Sequence, residues 1–226
     1  MKVGIIGAGR MAFALAAPLV RQGHAVMVSN SRGPASVLAR AAAANCHAGS
    51  AEEAADFGDV VALAIPLHAL AAVPVQPLAG KVVLDLINYY PGRDGVRPDL
   101  EAGATTTSEL VARHLPASRV VKVFNAILAD DLACHGAAPL APGRRALPMA
   151  GDDAAAKQVA ARLVEDCGFD VVDAGPLAEG WRFERARPVY CVARDRAALA
   201  DQLAATRRDS MVAEGSWRRG GSAAPR

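Results

Sequence analysis

The residues best suited to chemistry stand at the start of the chain. Val3 to Ala12 read VGIIGAGRMA, an apolar run that leads into Gly7-x-Gly9-x-x-Ala12. That spacing fits a ligand with a pyrophosphate. Gly7 permits a tight turn, Gly9 lets the backbone approach a phosphate, and Ala12 is small enough for a following helix to pack on the strand. Ala8, Arg10 and Met11 complete the loop. A helix starting here presents unpaired N–H groups and a partial positive charge to an anion. Asn30, Ser31 and Arg32 follow twenty-one residues and more after Gly9. Folds that hold NAD(H) usually place Asp or Glu roughly 20 residues on, against the ribose 2′-hydroxyl. No acid stands between Ala25 and Ala51. A hydroxyl and a guanidinium would bind a 2′-phosphate that a carboxylate would repel. The expected cofactor is therefore NADP(H). The alternative for Arg32 is an ordinary solvated loop arginine.

Ligands of open α/β sheets lie beyond the carboxyl ends of the strands. The segments that follow the apolar runs are therefore the next candidates. Ile65 and Pro66 follow one run and offer an apolar wall to a ring. Asn88, Tyr89 and Tyr90 follow another, and Phe124 and Asn125 a third. Asn88 and Asn125 are candidates for the nicotinamide carboxamide or the second substrate. Tyr89, Tyr90 and Phe124 are candidates for packing on a flat ring, and the tyrosines could equally seal a turn before Pro91-Gly92. His68 and Lys122 are possible proton donors, although a structural role suits each. No acid–base triad and no G-x-S-x-G appears, so no catalytic side chain is assigned. Reduction of a carbonyl or imine needs a proton source beside the hydride. Hydride exchange between two flat conjugated rings needs mainly orientation and exclusion of water.

The elements that must position these residues alternate. Strands are expected at Lys2–Ile6, Ala25–Ser29, Val60–Ala64, Lys81–Ile87, Arg119–Val123, Arg145–Ala150 and Asp170–Val172. Helices are expected at Met11–Gln22, at 34–44 behind Pro34, after the capping boxes Ser50-x-x-Glu53 and Thr106-x-x-Glu109, from Asp152 or Asp153 to Cys167, and over 194–207. This alternation predicts a Rossmann-type α/β fold: a doubly wound, mostly parallel sheet with a small C-terminal α/β extension. The expected division is 1–150 for the NADP-binding domain, 151–206 for the extension, and a disordered tail over 207–226. Trp217 falls in that tail.

At 226 residues and 52% hydrophobic, the chain is long enough for a sizeable core. The net charge is +2. Residues 207–226 hold five arginines and two acids, so the remainder is near −1. This is no footprint for nucleic acid. Cys46, Cys134, Cys167 and Cys191 form no C-x-x-C pair, and no metal site is expected. The apolar run at 60–75 is broken by Pro66, His68 and Pro74, so no membrane span is expected. The N-terminus enters a strand at once, so no signal peptide is expected and a reduced, cytoplasmic setting is the default.

GIIGAGRMA, SNSRGP, AIP, VVLDLINYYPGRDG, VVKVFNAI and GFDVVDAGPLAEG together resemble the NADPH-dependent coenzyme F420 reductase family, over roughly residues 1 to 205. The resemblance implies a Rossmann domain with a small C-terminal extension, a homodimer, and hydride transfer between NADPH and a deazaflavin. Some relatives supply the NADPH-binding part of metalloreductases. Gly7, Gly9 and Ala12 match the family's phosphate loop, Ser31 and Arg32 its 2′-phosphate contacts, and Ile65 and Pro66 its turn near the nicotinamide. The turn at Asn88 to Pro91 departs from the deazaflavin reductases. Arg10-Met11 is also similar to the pyrroline-carboxylate reductases. The resulting expectation is an NADPH-dependent oxidoreductase with a small flat electron acceptor, coenzyme F420 or a flavin. The alternatives are a small carbonyl or imine reductase that uses His68 or Lys122, and a non-catalytic NADP(H) sensor.

Overall fold

The structure, a computed structural model, describes residues 1–218. Residues 219–226 of the expected tail lie outside the described residues. The chain runs β1 (Lys2–Ile6), α1 (Arg10–Arg21), β2 (Ala25–Ser29), α2 (Leu38–Ala43), β3 (His47–Gly49), α3 (Ala51–Phe57), β4 (Val60–Leu63), β5 (Val82–Asp85), α4 (Pro91–Asp94), α5 (Pro98–Glu101), α6 (Thr107–His114), β6 (Arg119–Lys122), α7 (Ala129–Cys134), β7 (Ala146–Gly151), α8 (Ala154–Asp166), β8 (Asp170–Asp173) and α9 (Arg196–Ala205). The strands form one sheet in the order β3-β2-β1-β4-β5-β6-β7-β8. Neighbours are parallel except β6 and β7. The first six positions follow the doubly wound order, whose switch point lies between β1 and β4.

Alternate strand residues feed two cores. Val3, Ile5, Val60, Ala62, Val82, Leu84 and Val121 pack with α1, α2, α7 and α8. Ile6, Val61, Leu63, Val83 and Val120 pack with α3 and α6. The parallel strands are buried on both faces, as a sheet covered by helices requires. Both capping boxes form as expected, Ser50 with Glu53 and Thr106 with Glu109. Asp153, rather than Asp152, caps α8.

Several expectations need correction. Pro34 opens a short 3-10 turn over Pro34–Ser36, and α2 begins only at Leu38. Across the expected division at residue 150, β7 ends at Gly151 inside the common sheet and α8 packs into the same core as β1. The tail is ordered through its first part. Trp217 is 5% exposed and meets the Tyr190 ring edge-on at 5.3 Å. The Val212 amide donates to the Ala186 carbonyl at 2.9 Å. One aromatic anchor docks a segment whose composition is otherwise that of a solvated chain.

Candidate functional site

Two cavities draw on successive residues of the glycine turn. The first has a volume of about 590 Å³ and includes Gly7, Ala8, Gly9, Asn30, Ser31 and Arg32 in its wall. Ile65 and Pro66 line it too. The second, of about 1180 Å³, begins at Arg10 and Met11 and is walled by Tyr90, Leu128, Tyr190 and Trp217 among others. Of the residues singled out by sequence, eight therefore line the first cavity, and Arg10, Met11 and Tyr90 line the second. Ala12 is fully buried and serves close packing of α1 on the sheet. Asn88 lines neither cavity. Its amide donates to the Asn125 carbonyl at 2.9 Å, and its Oδ1 accepts from the Asn125 amide at 3.2 Å. These bonds clamp the segments that follow β5 and β6. Asn125 Oδ1 is buried with no partner among the described residues.

The first cavity fits a phosphorylated dinucleotide. Gly7 has φ +125°, and a Cβ there would overlap the Ala64 carbonyl oxygen. The chain can turn this sharply against β4 only with glycine. A Cβ on Gly9 would meet nothing within 4 Å, so the space above it is open to a ligand. No side chain caps α1, and no acid occupies its first turn. The first N–H groups of that helix remain for an anion. Asn30 Oδ1 accepts from the Arg32 amide at 3.2 Å and shapes the loop that presents Ser31 and Arg32. Glu52 is the only carboxylate in this wall. The sequence reading missed it because it stands in a helix first turn, where acids are commonplace.

The two possible proton donors lie elsewhere. Lys122 is 0% exposed. Its Nζ donates to Thr107 Oγ1 at 2.8 Å and the Ile87 carbonyl at 3.2 Å, and it pairs with Asp85 at 3.4 Å. Asp85 also accepts from Ser108 Oγ at 2.5 Å and the Ile87 amide at 2.9 Å. Glu184 Oε1 lies 3.8 Å from the ammonium and accepts from the Thr107 amide and hydroxyl. A Cβ on Gly180 would come within 2.8 Å of Lys122 Cδ, so the lysine stem occupies the place of a side chain there. Lys122 is a structural tie between β5, β6 and α6. His68 lies outside both cavity walls. Its Nδ1 is 3.0 Å from Asp94, whose side chain is 1% exposed. Asp94 also accepts from the Tyr90 amide and the Arg93 guanidinium. Burial pushes the Asp94 carboxyl up, but these donors outweigh it and hold the pKa down at about 2. Asp94 thereby fixes the turn that carries Tyr90.

That turn shapes the second cavity. Arg93 donates to the Asn88 carbonyl at 2.8 Å, and Arg185 to the Tyr89 carbonyl at 2.9 Å. The two guanidiniums lie 4.8 and 5.4 Å from the centre of the Tyr90 ring. Tyr90 Oη is 2.9 Å from Tyr190 Oη. Burial pushes the Tyr190 phenol pKa upward, which keeps it a neutral hydrogen-bonding group. The C-terminal segment closes the cavity through Trp217 and the Arg185–Glu214 ion pair. Gly175, Pro176 and Leu177, from the family-like stretch GFDVVDAGPLAEG, line neither cavity. Tyr89 binds the Arg97 amide and faces a separate pocket, and Phe124 sits in the core. Of the three aromatics proposed for a flat ring, only Tyr90 reaches the second cavity.

The sheet order defines a doubly wound fold of Rossmann type, with the glycine turn, Ser31 and Arg32 gathered in one cavity wall. Residues 2–89 match the family model described as NADP oxidoreductase, coenzyme F420-dependent, which bears out the resemblance read from the sequence. A structure of a hypothetical protein from Sinorhizobium meliloti superposes with TM-score 0.75 at 29% identity, covering 87% of this chain and 95% of that one. A provisionally assigned F420-dependent NADP reductase from Arthrobacter sp. FB24 gives 0.66 at 29% identity, covering 78% and 85%. The metalloreductase STEAP3 of Rattus norvegicus is 31% identical over 188 residues, which is 81% of this chain and 36% of that protein. The chain spans about a third of the length of the curated relatives it matches. Pyrroline-5-carboxylate and imine reductases share the fold at 17 to 21% identity, with TM-scores of 0.54 to 0.55. No helix among the described residues is long and apolar enough to cross a membrane.

Proposed function

We propose that the chain passes hydride between NADP(H) and a flat conjugated acceptor, such as the deazaflavin coenzyme F420 or a flavin. The observation that carries this reading is the pair of cavities sharing one glycine turn. An extended dinucleotide laid over the turn has its adenosine 2′-phosphate beside Ser31 and Arg32. Gly9 and the first N–H groups of α1 would hold its pyrophosphate. Ile65 and Pro66 would flank the dinucleotide in the first cavity, and Met11 and Tyr90 would receive it where the second begins. The bound cofactor supplies the hydride. Met11, Pro91 and Leu128 supply apolar wall that excludes water. Tyr90, gripped by two guanidiniums and by Tyr190, supplies a rigid flat surface that orients the acceptor. The family match and the Arthrobacter likeness support this acceptor class. The four free cysteines fit a reduced cytoplasmic setting. The family resemblance suggests a homodimer, which light scattering tests.

The experiment follows NADPH oxidation with coenzyme F420, FMN and FAD in turn. Turnover with a flat acceptor is expected. Absence of turnover with all three, despite tight NADPH binding, removes the acceptor reading and leaves the carbonyl or imine reductase and the cofactor-binding sensor. Absence of NADPH binding at millimolar concentration removes the cofactor reading itself.

A second reading rests on the Tyr90 hydroxyl, an O–H donor in the second cavity wall. The chain would then reduce a carbonyl or imine, with the proton coming from Tyr90 rather than His68 or Lys122. Tyr90→Phe should lower that turnover by roughly 10²–10⁴ without changing NADPH affinity. An unchanged rate excludes it.

A further inference from the structure

Arg40 is a guanidinium that no motif includes. It sits in the last turn of α2, just beyond the loop that carries Ser31 and Arg32. A side chain at that position ordinarily extends into water. Here it reaches back to the glycine turn, where Nη1 donates to the Ala8 carbonyl at 3.2 Å. Its Cζ lies 3.9 Å from the centre of the Phe13 ring on α1. Ala8 belongs to the same cavity wall as Ser31 and Arg32. The Arg32 guanidinium stands in the wall of the first cavity, and that of Arg40, outside the wall itself, reaches it from the helix behind through the Ala8 carbonyl.

Charge balance explains why a second one matters. Arg32 and Glu52 are the only charged residues in that wall. Their charges cancel, which leaves little net attraction for a phosphate dianion. Arg40 tips the balance to positive. A planar guanidinium stacked on an aromatic ring has lost much of its rotamer freedom already, so less is lost when a phosphate binds. The bond to Ala8 uses one of its five N–H donors.

We propose that Arg40 is a specificity-determining residue, a second reader of the adenosine 2′-phosphate positioned by Phe13 and the Ala8 carbonyl. This rests on the NADP(H) reading of the first cavity. The test is calorimetric titration of the free protein with NADPH, NADH, 2′,5′-ADP and 5′-AMP, for wild type, Arg32→Ala, Arg40→Ala and Arg40→Met. The methionine variant keeps an apolar stem over Phe13. Both Arg40 variants should weaken NADPH and 2′,5′-ADP by about tenfold or more, the scale of a charge-assisted phosphate contact. NADH and 5′-AMP should stay within about twofold, and the salt dependence of NADPH binding should flatten. Unchanged NADPH affinity in both variants overturns the proposal. So does an equal loss for all four ligands, which would mark Arg40 as a support of the turn or an adenine contact. If Arg32→Ala abolishes the preference for NADPH while the Arg40 variants keep it, this inference fails and the cofactor reading stands. If wild type binds none of the four, both fail.

Discussion

Lys122→Met separates a structural lysine from a catalytic one. Methionine keeps most of the stem that fills the space beside Gly180 and removes the ammonium. Asp85 retains the Ile87 amide and Ser108 hydroxyl but loses its cation, at 0% exposure. Breaking a buried pair in this way costs about 3–5 kcal/mol. Two neutral donors still hold Asp85, and Glu184 is 22% exposed, so the lower end applies, about 3 kcal/mol. For a domain of this size the melting temperature should fall by roughly 6–12 °C. Urea denaturation is the assay: the midpoint falls and the slope stays. The double variant Asp85→Asn/Lys122→Met should regain a large part of the loss, because no uncompensated carboxylate remains at 85. NADPH affinity, measured where every variant is folded, should change little. A Lys122→Met protein as stable as wild type that has lost turnover by a hundredfold would refute this reasoning and restore Lys122 as a proton donor.

The two glycines of the turn should respond in opposite ways. Gly7→Ala forces a side chain onto the Ala64 carbonyl at φ +125° and should cost stability, by about 1–3 kcal/mol or more in a melting assay. Gly9→Val meets open space, so melting should hold while NADPH affinity drops in titration. Asp94 makes a signed pH prediction. Its folded pKa, about 2, lies below the ordinary 3.8, so its stabilisation is complete above pH 3.8 and is lost as pH falls through 2. The melting advantage of wild type over Asp94→Asn should therefore shrink between pH 5 and 2; a constant gap would contradict it. Trp217→Ala should raise amide exchange at 207–217, Val212 in particular, and leave β1 and β4 protected.

What the sequence made legible is what local chemistry determines. The glycine turn and the two capping boxes each rest on residues a few positions apart, and all are present. β3 was not legible. His47–Gly49 is only three residues long and exists because β2 offers it an edge. The order of 207–218 was hidden for the same reason. Its Gly, Ser and Arg content describes solvation, whereas its docking depends on Tyr190 and Ala186, which no local pattern links to Trp217.

The polar residues at the strand ends show most clearly where reading from sequence stops. Asn88, Tyr90, Lys122 and Asn125 all follow or end apolar strands, and by position each is equally suited to a ligand. Which of them faces a ligand is decided by partners far along the chain. Lys122 shares a face with Val120 and, across the sheet, with Asp85, so its ammonium is drawn under α6 and held there. Asn88 and Asn125 bind each other across 37 residues. Tyr90 is left to the cavity because Asp94, Arg93 and Arg185 take up the backbone polar groups of its turn. Buried polar groups need partners first. The side chains that find theirs inside the protein become scaffold, and those whose turn is satisfied by others remain to meet a ligand. On that logic the glycine turn and Tyr90 are the groups left free to meet a ligand.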